Sequence, residues 1–142
     1  MTWKILAVGR PSLAFARDGI ADYLGRLRHV TRIEEHFVKA RPDSEARLLE
    51  HSDGHFRILL DERGRQFTSR AFAAEIQRLE NQSRVALLVG GADGWSDATR
   101  SKANLLWSLG SLTLQHELAL VIALEQIYRA YAINAGLPYH RD

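Results

Sequence analysis

The sequence predicts a single α/β domain, residues 1–142, built on a mostly parallel sheet of about five or six strands with helices on both faces. Short apolar runs of strand length alternate along the chain with longer stretches in which apolar residues recur at helical spacing. The length of 142 residues is common for one domain and leaves little room for a second. A composition of 46% hydrophobic and 25% charged residues is ordinary for a globular protein and excludes disorder of the whole chain.

Strands and helices alternate from the start of the chain. Residues 5–9 form an apolar run that predicts a buried first strand, and residues 13–28 carry apolar side chains at helical spacing. Residues 32–38 predict a second strand, and a short helix follows through Leu48 and Leu49. The first third of the chain is therefore expected to run strand, helix, strand, helix.

The alternation continues in the middle of the chain. Residues 56–60 predict another buried strand, and residues 61–64 predict a turn. Thr68 and Ser69 precede a helix that runs through Leu79, and their hydroxyls are suited to cap its first turn.

The last third contains the most strand-like segment of the sequence, residues 85–89. Ser96 or Asp97 is placed to cap a short helix after it. Residues 105–109 predict a fifth strand, and residues 117–135 predict a long final helix.

Composition excludes several classes of function. The chain has no cysteine, which rules out a disulfide scaffold, thiolate catalysis and cysteine-based metal sites, and we expect no metal. No apolar run has the length of a membrane span, and the amino terminus does not resemble a signal peptide, so a cytoplasmic protein without a membrane partner is expected. The net charge of +2 is far from the basic excess of a protein that holds nucleic acid mainly by charge.

Ligands of parallel α/β sheets bind beyond the carboxyl ends of the strands. Three such places stand out here: Leu60 with Asp61, Gly90 with Gly91, and the loop after Leu109. The glycine loop has the spacing G-G-x-x-G, which is neither a dinucleotide fingerprint nor a P-loop. A tight strand-to-helix turn without a ligand is the alternative interpretation.

The loop at residues 108–116 is rich in small hydroxylated residues. Its backbone amides and carbonyls are suited to hold a polar planar group, with Leu109, Leu112 and Leu114 as apolar walls. The serines and the histidine of this loop do not form the G-x-S-x-G elbow of a hydrolase, so hydrolysis is disfavoured.

Two features near the end of the chain carry charge. Glu125 falls on the apolar stripe of the final helix with Arg129 four residues later, and a structural or intersubunit ion pair is favoured over a catalytic acid or base. In the terminal segment, Tyr139 is suited to stack on a base, His140 to transfer a proton and Arg141 to bind phosphate. A frayed terminus without function is the alternative.

Taken together, these motifs occur in the same order as in one known protein family. They are the segments around Leu59-Leu60-Asp61-x-x-Gly64, Leu88-Val89-Gly90-Gly91-x-Asp93-Gly94, Ser108-Leu109 with Leu112-Thr113 and His116, Glu125-Gln126-x-Tyr128-Arg129-Ala130, and Pro138-Tyr139-His140-Arg141. From Val8 to Arg141 the chain resembles the bacterial ribosomal RNA large-subunit methyltransferase H family, a branch of the SPOUT class. That family methylates N3 of a pseudouridine in large-subunit (23S) ribosomal RNA.

The resemblance implies a SPOUT-type α/β fold with a C-terminal trefoil knot, a homodimer, and S-adenosylmethionine as cofactor. It implies a cytoplasmic enzyme of rRNA processing whose partner is ribosomal RNA, within the ribosome. By position, the cofactor-binding residues are Leu60, Gly90, Leu109, Gly110, Ser111, Leu112, Thr113 and Leu114. The substrate-side catalytic residues are His140, Tyr139, Arg141 and Arg129.

Two positions depart from the family pattern. The family commonly has a proline where this chain has Gln115, and an arginine where it has Leu120. Proline restricts φ, so we expect Gln115 to loosen the loop slightly. The missing cation at Leu120 bears on substrate affinity and on the role of Glu125 more than on cofactor binding.

The resemblance leaves two alternatives open. One is a non-catalytic RNA-binding or ribosome-assembly factor on the same fold, which would have no need of the cofactor. The other is a SPOUT methyltransferase with a different RNA target. In the favoured interpretation His140 takes the N3 proton, and the tail of one subunit lies near the cofactor loop of the other.

Overall fold

The computed structural model describes residues 1–139, and over that range strands and helices alternate as the sequence predicts. The strands are β1 (Thr2–Val8), β2 (Arg32–Val38), β3 (Phe56–Arg65), β4 (Arg84–Val89) and β5 (Leu105–Trp107). The helices are α1 (Ala14–Leu27), α2 (Ser44–His51), α3 (Ser69–Arg78), α4 (Asp97–Arg100) and α5 (His116–Ala135). His140 and Arg141 lie outside the described residues.

The five strands form one sheet in the order β2-β1-β4-β3-β5, and every neighbouring pair is parallel. In strand β1, which lies between β2 and β4, Ala7 is opposite Phe37 of β2 and Val89 of β4. The carboxyl ends of β1, β2 and β4 therefore fall at the same edge. The parallel sheet that the sequence predicts is confirmed, whereas the knot stays a prediction.

Helices cover both faces of the sheet, because side chains of the strands alternate between two cores. Trp3 and Ile5 point into the main core, which they share with apolar residues of α1, α3 and α5. Leu6 points into a smaller core with Leu48 of α2. Leu120, where the family tends to carry arginine, is only 2% exposed and packs in the main core.

Strand β3 is longer than the sequence suggests, and the predicted turn at residues 61–64 was wrong. Both Leu60 and Arg65 pair with Trp107 of β5, so the pairing register shifts between them. Residues 61–64, which lie between the two paired positions, are called the β3 excursion below. Gly64 makes this possible. A Cβ there would lie 2.5 Å from the carbonyl carbon of Leu106, so only a residue without a side chain fits against that backbone.

Strand β5 is shorter than predicted and ends at Trp107 instead of Leu109. The backbone amide of Ser108 still donates to the carbonyl of Arg65, at 2.9 Å. Two residues later Gly110 takes a φ of 137°, a conformation that side chains rarely adopt. The chain leaves the sheet there and enters the loop that precedes α5.

Polar side chains cap three of the helices. The hydroxyl of Thr68 accepts from the amide of Ala71 at α3, and Ser96 accepts from Thr99 at α4. At α5 the cap is Gln115, whose Oε1 accepts from the amides of Glu117 and Leu118 at 2.8 and 3.0 Å. Gln115 thus holds the end of the loop against the first turn of α5. This contact restrains the backbone at position 115, where the family commonly has a proline.

Candidate functional site

The three strand ends singled out in the sequence meet around one cavity of about 570 Å³. Leu60 reaches it from β3, Gly90 from the end of β4, and Leu109 from the loop after β5. The first turn of α5 closes the cavity with His116 and Ala119. A volume of this size is typical of sites for small molecules and cofactors.

The loop between β5 and α5 forms an apolar wall of the cavity. Of the residues expected to bind cofactor there, Leu109, Gly110, Leu112, Thr113 and Leu114 line it, whereas Ser111 is absent from the lining. Leu112 is 76% exposed, which is unusual for a large apolar side chain and leaves it available to a ligand or partner. Beneath the loop, the buried hydroxyl of Ser108 donates to the carbonyl of Gly110 at 3.0 Å.

Trp95 braces the opposite side of the cavity, and the sequence analysis did not single it out. Its indole Nε1 donates to the backbone carbonyl of Leu60 at 2.8 Å. Its ring lies against Gly90, where an added Cβ would be 3.2 Å from the indole. A side chain at position 90 would press on the indole, so glycine leaves room for Trp95 against this loop.

A charged pair anchors the β3 excursion to α4 at the edge of the cavity. The Asp61 carboxylate, 4% exposed, accepts from Arg100 Nε at 2.5 Å and from the amide of Arg63 at 2.8 Å. Arg100 also donates to Asp97 at 2.9 Å. The hydrogen bond from Arg100 to Asp61 raises the pKa of the guanidinium further, so Arg100 stays charged. Asp61 and Arg100 are 39 residues apart, which hides their pairing from any local sequence pattern.

Glu117, in the first turn of α5, is a buried carboxylate that the sequence analysis also missed. It is 7% exposed and accepts hydrogen bonds from the amides of Ser12 and Leu13 at 2.7 and 3.0 Å, and from the Ser12 hydroxyl at 3.2 Å. Burial opposes its ionisation, but these hydrogen bonds outweigh burial and lower the pKa of Glu117. Glu117 thereby fastens the loop before α1 to the wall of the cavity.

A second polar cluster lies farther along α5. Glu125 pairs with Arg129, whose Nη2 donates to Oε2 at 2.7 Å, as the helical spacing predicts. The same carboxylate oxygen accepts from the Tyr139 hydroxyl at 2.8 Å. Tyr23 of α1 completes the cluster, with its hydroxyl 2.9 Å from that of Tyr139.

The structure does not bring this cluster and the cavity together within one chain. Glu125 follows Ala119, the last residue of α5 that lines the cavity, by six residues of helix, which corresponds to about 9 Å along the axis. The expected substrate-side residues Arg129 and Tyr139 therefore stand apart from the expected cofactor-binding residues.

Other kinds of site find no support in the part of the chain that the structure describes. Residues 1–139 contain no group of three or more histidine, aspartate or glutamate side chains that could hold a metal ion. No helix in that range is long and apolar enough to cross a membrane.

Comparisons with known proteins agree with this geometry. A family described as "Predicted SPOUT methyltransferase" matches residues 1–140. A Thermus thermophilus protein named Ribosomal RNA large subunit methyltransferase H is 45% identical over 141 residues, which cover 99% of each chain.

Among solved structures, a probable methylase family protein from Haemophilus influenzae superposes with a TM-score of 0.61 at 10% identity, covering 99% of this chain and 70% of its own. A Legionella pneumophila protein whose structure contains the bound cofactor SAM superposes with a TM-score of 0.53 at 13% identity, covering 92% and 66%. At these identities the two structures support the fold alone.

Proposed function

Because this chain belongs to the ribosomal RNA large subunit methyltransferase H family of SPOUT methyltransferases, we propose that it uses S-adenosylmethionine to methylate N3 of a pseudouridine in bacterial large-subunit ribosomal RNA. The observation that carries the proposal is the shared cavity in which the ends of β3, β4 and β5 meet. The name of the Thermus thermophilus relative supports a large-subunit ribosomal RNA as target.

The residues around the cavity suit S-adenosylmethionine. Leu60, Leu109 and Leu114 offer apolar surface to a flat ring, and the exposed backbone of the loop at residues 109–114 offers hydrogen-bonding groups to its edge. When bound, the cofactor supplies an electrophilic methyl group. The chain's own contribution is to hold the reacting groups in a fixed geometry, an effect that can reach about 7–11 kcal/mol.

A homodimer is supported by the outward face of α5. This helix buries Leu124 and Ile127 in the core, yet it also carries Leu118 and Ile122 on a face that is only half-buried. Apolar side chains on a helix face outside the core are normally covered by another element or by a partner. Phe15, at the start of α1, is a further large apolar side chain that is 56% exposed.

The separation of the two clusters supports a shared active site in that dimer. Tyr139 is held at Glu125, which lies about 9 Å along α5 from Ala119, the nearest residue of that helix that lines the cavity of its own chain. His140 directly follows Tyr139 in the sequence. The tail of one subunit would then serve the cofactor loop of the other.

Methylation at N3 requires loss of the N3 proton, and we assign its removal to His140. An imidazole titrates near neutral pH and is the usual general base in proteins. His140→Ala should abolish methylation while the affinity for S-adenosylmethionine, measured by calorimetry, stays within about twofold of the wild type. Full activity of this variant would show that the substrate loses its proton without a protein base.

The experiment that tests the function is mass spectrometry of ribosomal RNA from a deletion strain, with and without a plasmid copy of the gene. The expected result is the loss of one methyl group from a pseudouridine of the large subunit, restored by the plasmid. A methyl group lost from transfer RNA or from a ribose would instead identify a different target. Unchanged RNA, together with no calorimetric binding of S-adenosylmethionine, would favour the non-catalytic assembly factor.

The shared site is tested by mixing two inactive proteins. One lacks residues 139–142, and the other carries Gly90→Trp in the cofactor loop. Mixed dimers contain one intact cavity and one intact tail on opposite chains, so activity should return on mixing. If no activity returns although mass spectrometry detects the mixed dimer, the shared site is wrong.

A further inference from the structure

The hydroxyl of Tyr139 is held from two elements at once. It donates to Glu125 of α5 at 2.8 Å and lies 2.9 Å from the hydroxyl of Tyr23 of α1. A phenol has a single hydrogen, so with that hydrogen on Glu125 the Tyr139 oxygen must accept from Tyr23. Tyr139 is thus tied to both helices through one atom.

The carboxylate that receives this hydrogen bond is itself fixed. Arg129 donates to its Oε2 from Nη2 and Nε at 2.7 and 3.1 Å. Gln126 donates to its Oε1 at 2.7 Å, and Gln126 in turn accepts from the Ser69 hydroxyl of the neighbouring helix α3 at 2.8 Å. The position of Tyr139 therefore depends on a network that reaches three helices.

The ring of Tyr139 is also occupied. Tyr128 meets it edge-on with ring centroids 4.9 Å apart, and the guanidinium groups of Arg129 and Arg26 lie 5.2 and 5.8 Å from its centroid. Edge-on aromatic contacts and cation–π contacts of this kind are attractive. They leave little of the ring for stacking on an RNA base.

We propose that Tyr23 and Glu125 are positioning residues that anchor Tyr139 and so fix the point from which the tail with His140 departs. The inference rests on the proposed function, because it assigns the anchor to the tail of that active site. Tyr139 then acts as an anchor and not as a stacking platform. Burial and the hydrogen bonds with Tyr23 and Glu125 raise the pKa of Tyr139, so its hydroxyl keeps the hydrogen that the anchor needs.

The first test compares two variants that each remove one tyrosine hydroxyl. Tyr23→Phe removes the donor to Tyr139, whereas Tyr131→Phe removes a hydroxyl that accepts from Trp3 Nε1, at 2.9 Å. Misplacing a catalytic group by about 1 Å can cost about 100-fold. We expect kcat on ribosomal RNA to fall about 10- to 100-fold for Tyr23→Phe and less than about twofold for Tyr131→Phe, with the Kd for S-adenosylmethionine unchanged in both. Equal kcat values for the two variants would overturn the inference.

A double-mutant cycle separates positioning from general stability. If Tyr23 acts only through the Tyr139 hydroxyl, then Tyr139→Phe and the double variant Tyr23→Phe/Tyr139→Phe have the same kcat. Losses that multiply in the double variant would mean that Tyr23 acts by another route. Glu125→Gln keeps the shape of the side chain and should lower kcat at least as much as Tyr23→Phe.

A measurement without RNA distinguishes failure of the anchor from failure of the proposed function. Carboxypeptidase should release the last residues faster from Tyr23→Phe than from Tyr131→Phe or the wild type. Equal release rates would overturn the anchor, whatever the activity. Faster release together with a wild-type protein that methylates no ribosomal RNA would leave the anchor intact and refute the proposed function.

Discussion

Gly64→Ala introduces one methyl group at the most crowded glycine of the chain. The new Cβ would lie 2.5 Å from the carbonyl carbon of Leu106, 2.6 Å from its oxygen and 2.7 Å from the amide nitrogen of Trp107. Ordinary contacts between carbon atoms are about 3.5–4.0 Å, so the deficit is about 1 Å. The opposing atoms are backbone atoms of a paired strand and cannot rotate away.

The expected cost lies at the upper end of the range for overpacking, about 3 kcal/mol. Unfolding entropy of about 2.1 cal/mol/K per residue gives about 0.3 kcal/mol/K for 142 residues, so Tm should fall by about 10 °C. The excursion at residues 61–64 also lines the cavity, and its displacement should weaken binding of S-adenosylmethionine at least tenfold.

Gly25→Ala is the matched control. Gly25 lies inside α1, and a Cβ built there meets nothing within 4 Å. Alanine favours a helix over glycine by about 0.8–1.0 kcal/mol, so this variant should raise Tm by about 3 °C. Calorimetric unfolding and titration with S-adenosylmethionine measure both effects. A Gly64→Ala protein that melts within about 2 °C of the wild type and binds cofactor normally would refute the close packing of Gly64 against the backbone of β5.

Three further substitutions test contacts around the cavity. Trp95→Phe removes the donor to the Leu60 carbonyl and should weaken S-adenosylmethionine binding about fivefold in calorimetry, which corresponds to about 1 kcal/mol. Unchanged affinity would show that the hydrogen bond from Trp95 does not support the cavity. Gln115→Ala removes the cap of α5 and should lower the free energy of unfolding by about 1 kcal/mol in urea titrations. An unchanged free energy of unfolding would mean that the Gln115 cap does not stabilise the protein. Glu117→Gln should destabilise the protein at pH 7. Because folding lowers the pKa of Glu117, its stabilisation is present above about pH 4.5 and is lost as pH falls through the folded pKa. The variant and the wild type should therefore converge in acid, and a constant difference from pH 7 to about pH 3 would contradict this.

The parts of the fold that sequence predicts are those that depend on local pattern. Residues 85–89 form a short apolar run bounded by glycine, and they become the buried strand β4. The hydroxyl of Thr68 precedes a periodic segment and caps α3. The shared location of Leu60, Gly90 and Leu109 follows from parallel topology, because carboxyl ends of parallel strands lie at one edge.

The parts that sequence does not predict depend on contacts between distant residues. The pairing of Arg65 with Trp107 extends β3 past a segment whose composition is typical of a turn. Tyr23 and Tyr139 are separated by 116 positions, and no periodicity connects a mid-helix tyrosine with one beyond the last helix. Such contacts depend on how helices and strands pack against one another. Local propensities along the sequence carry no information about that packing.

Helix α5 explains why the two halves of the candidate site do not meet in one chain. Its first turn closes the cavity with His116, and its middle carries Glu125, which holds Tyr139. A helix has a fixed rise of about 1.5 Å per residue, so no loop movement within the chain shortens the distance between the cavity and Glu125. The same helix presents Leu118 and Ile122 half-buried between those two points. A second copy packed on that face by a two-fold axis perpendicular to α5 would run its own α5 in the opposite direction, and this arrangement would bring the anchor of one chain toward the cavity of the other.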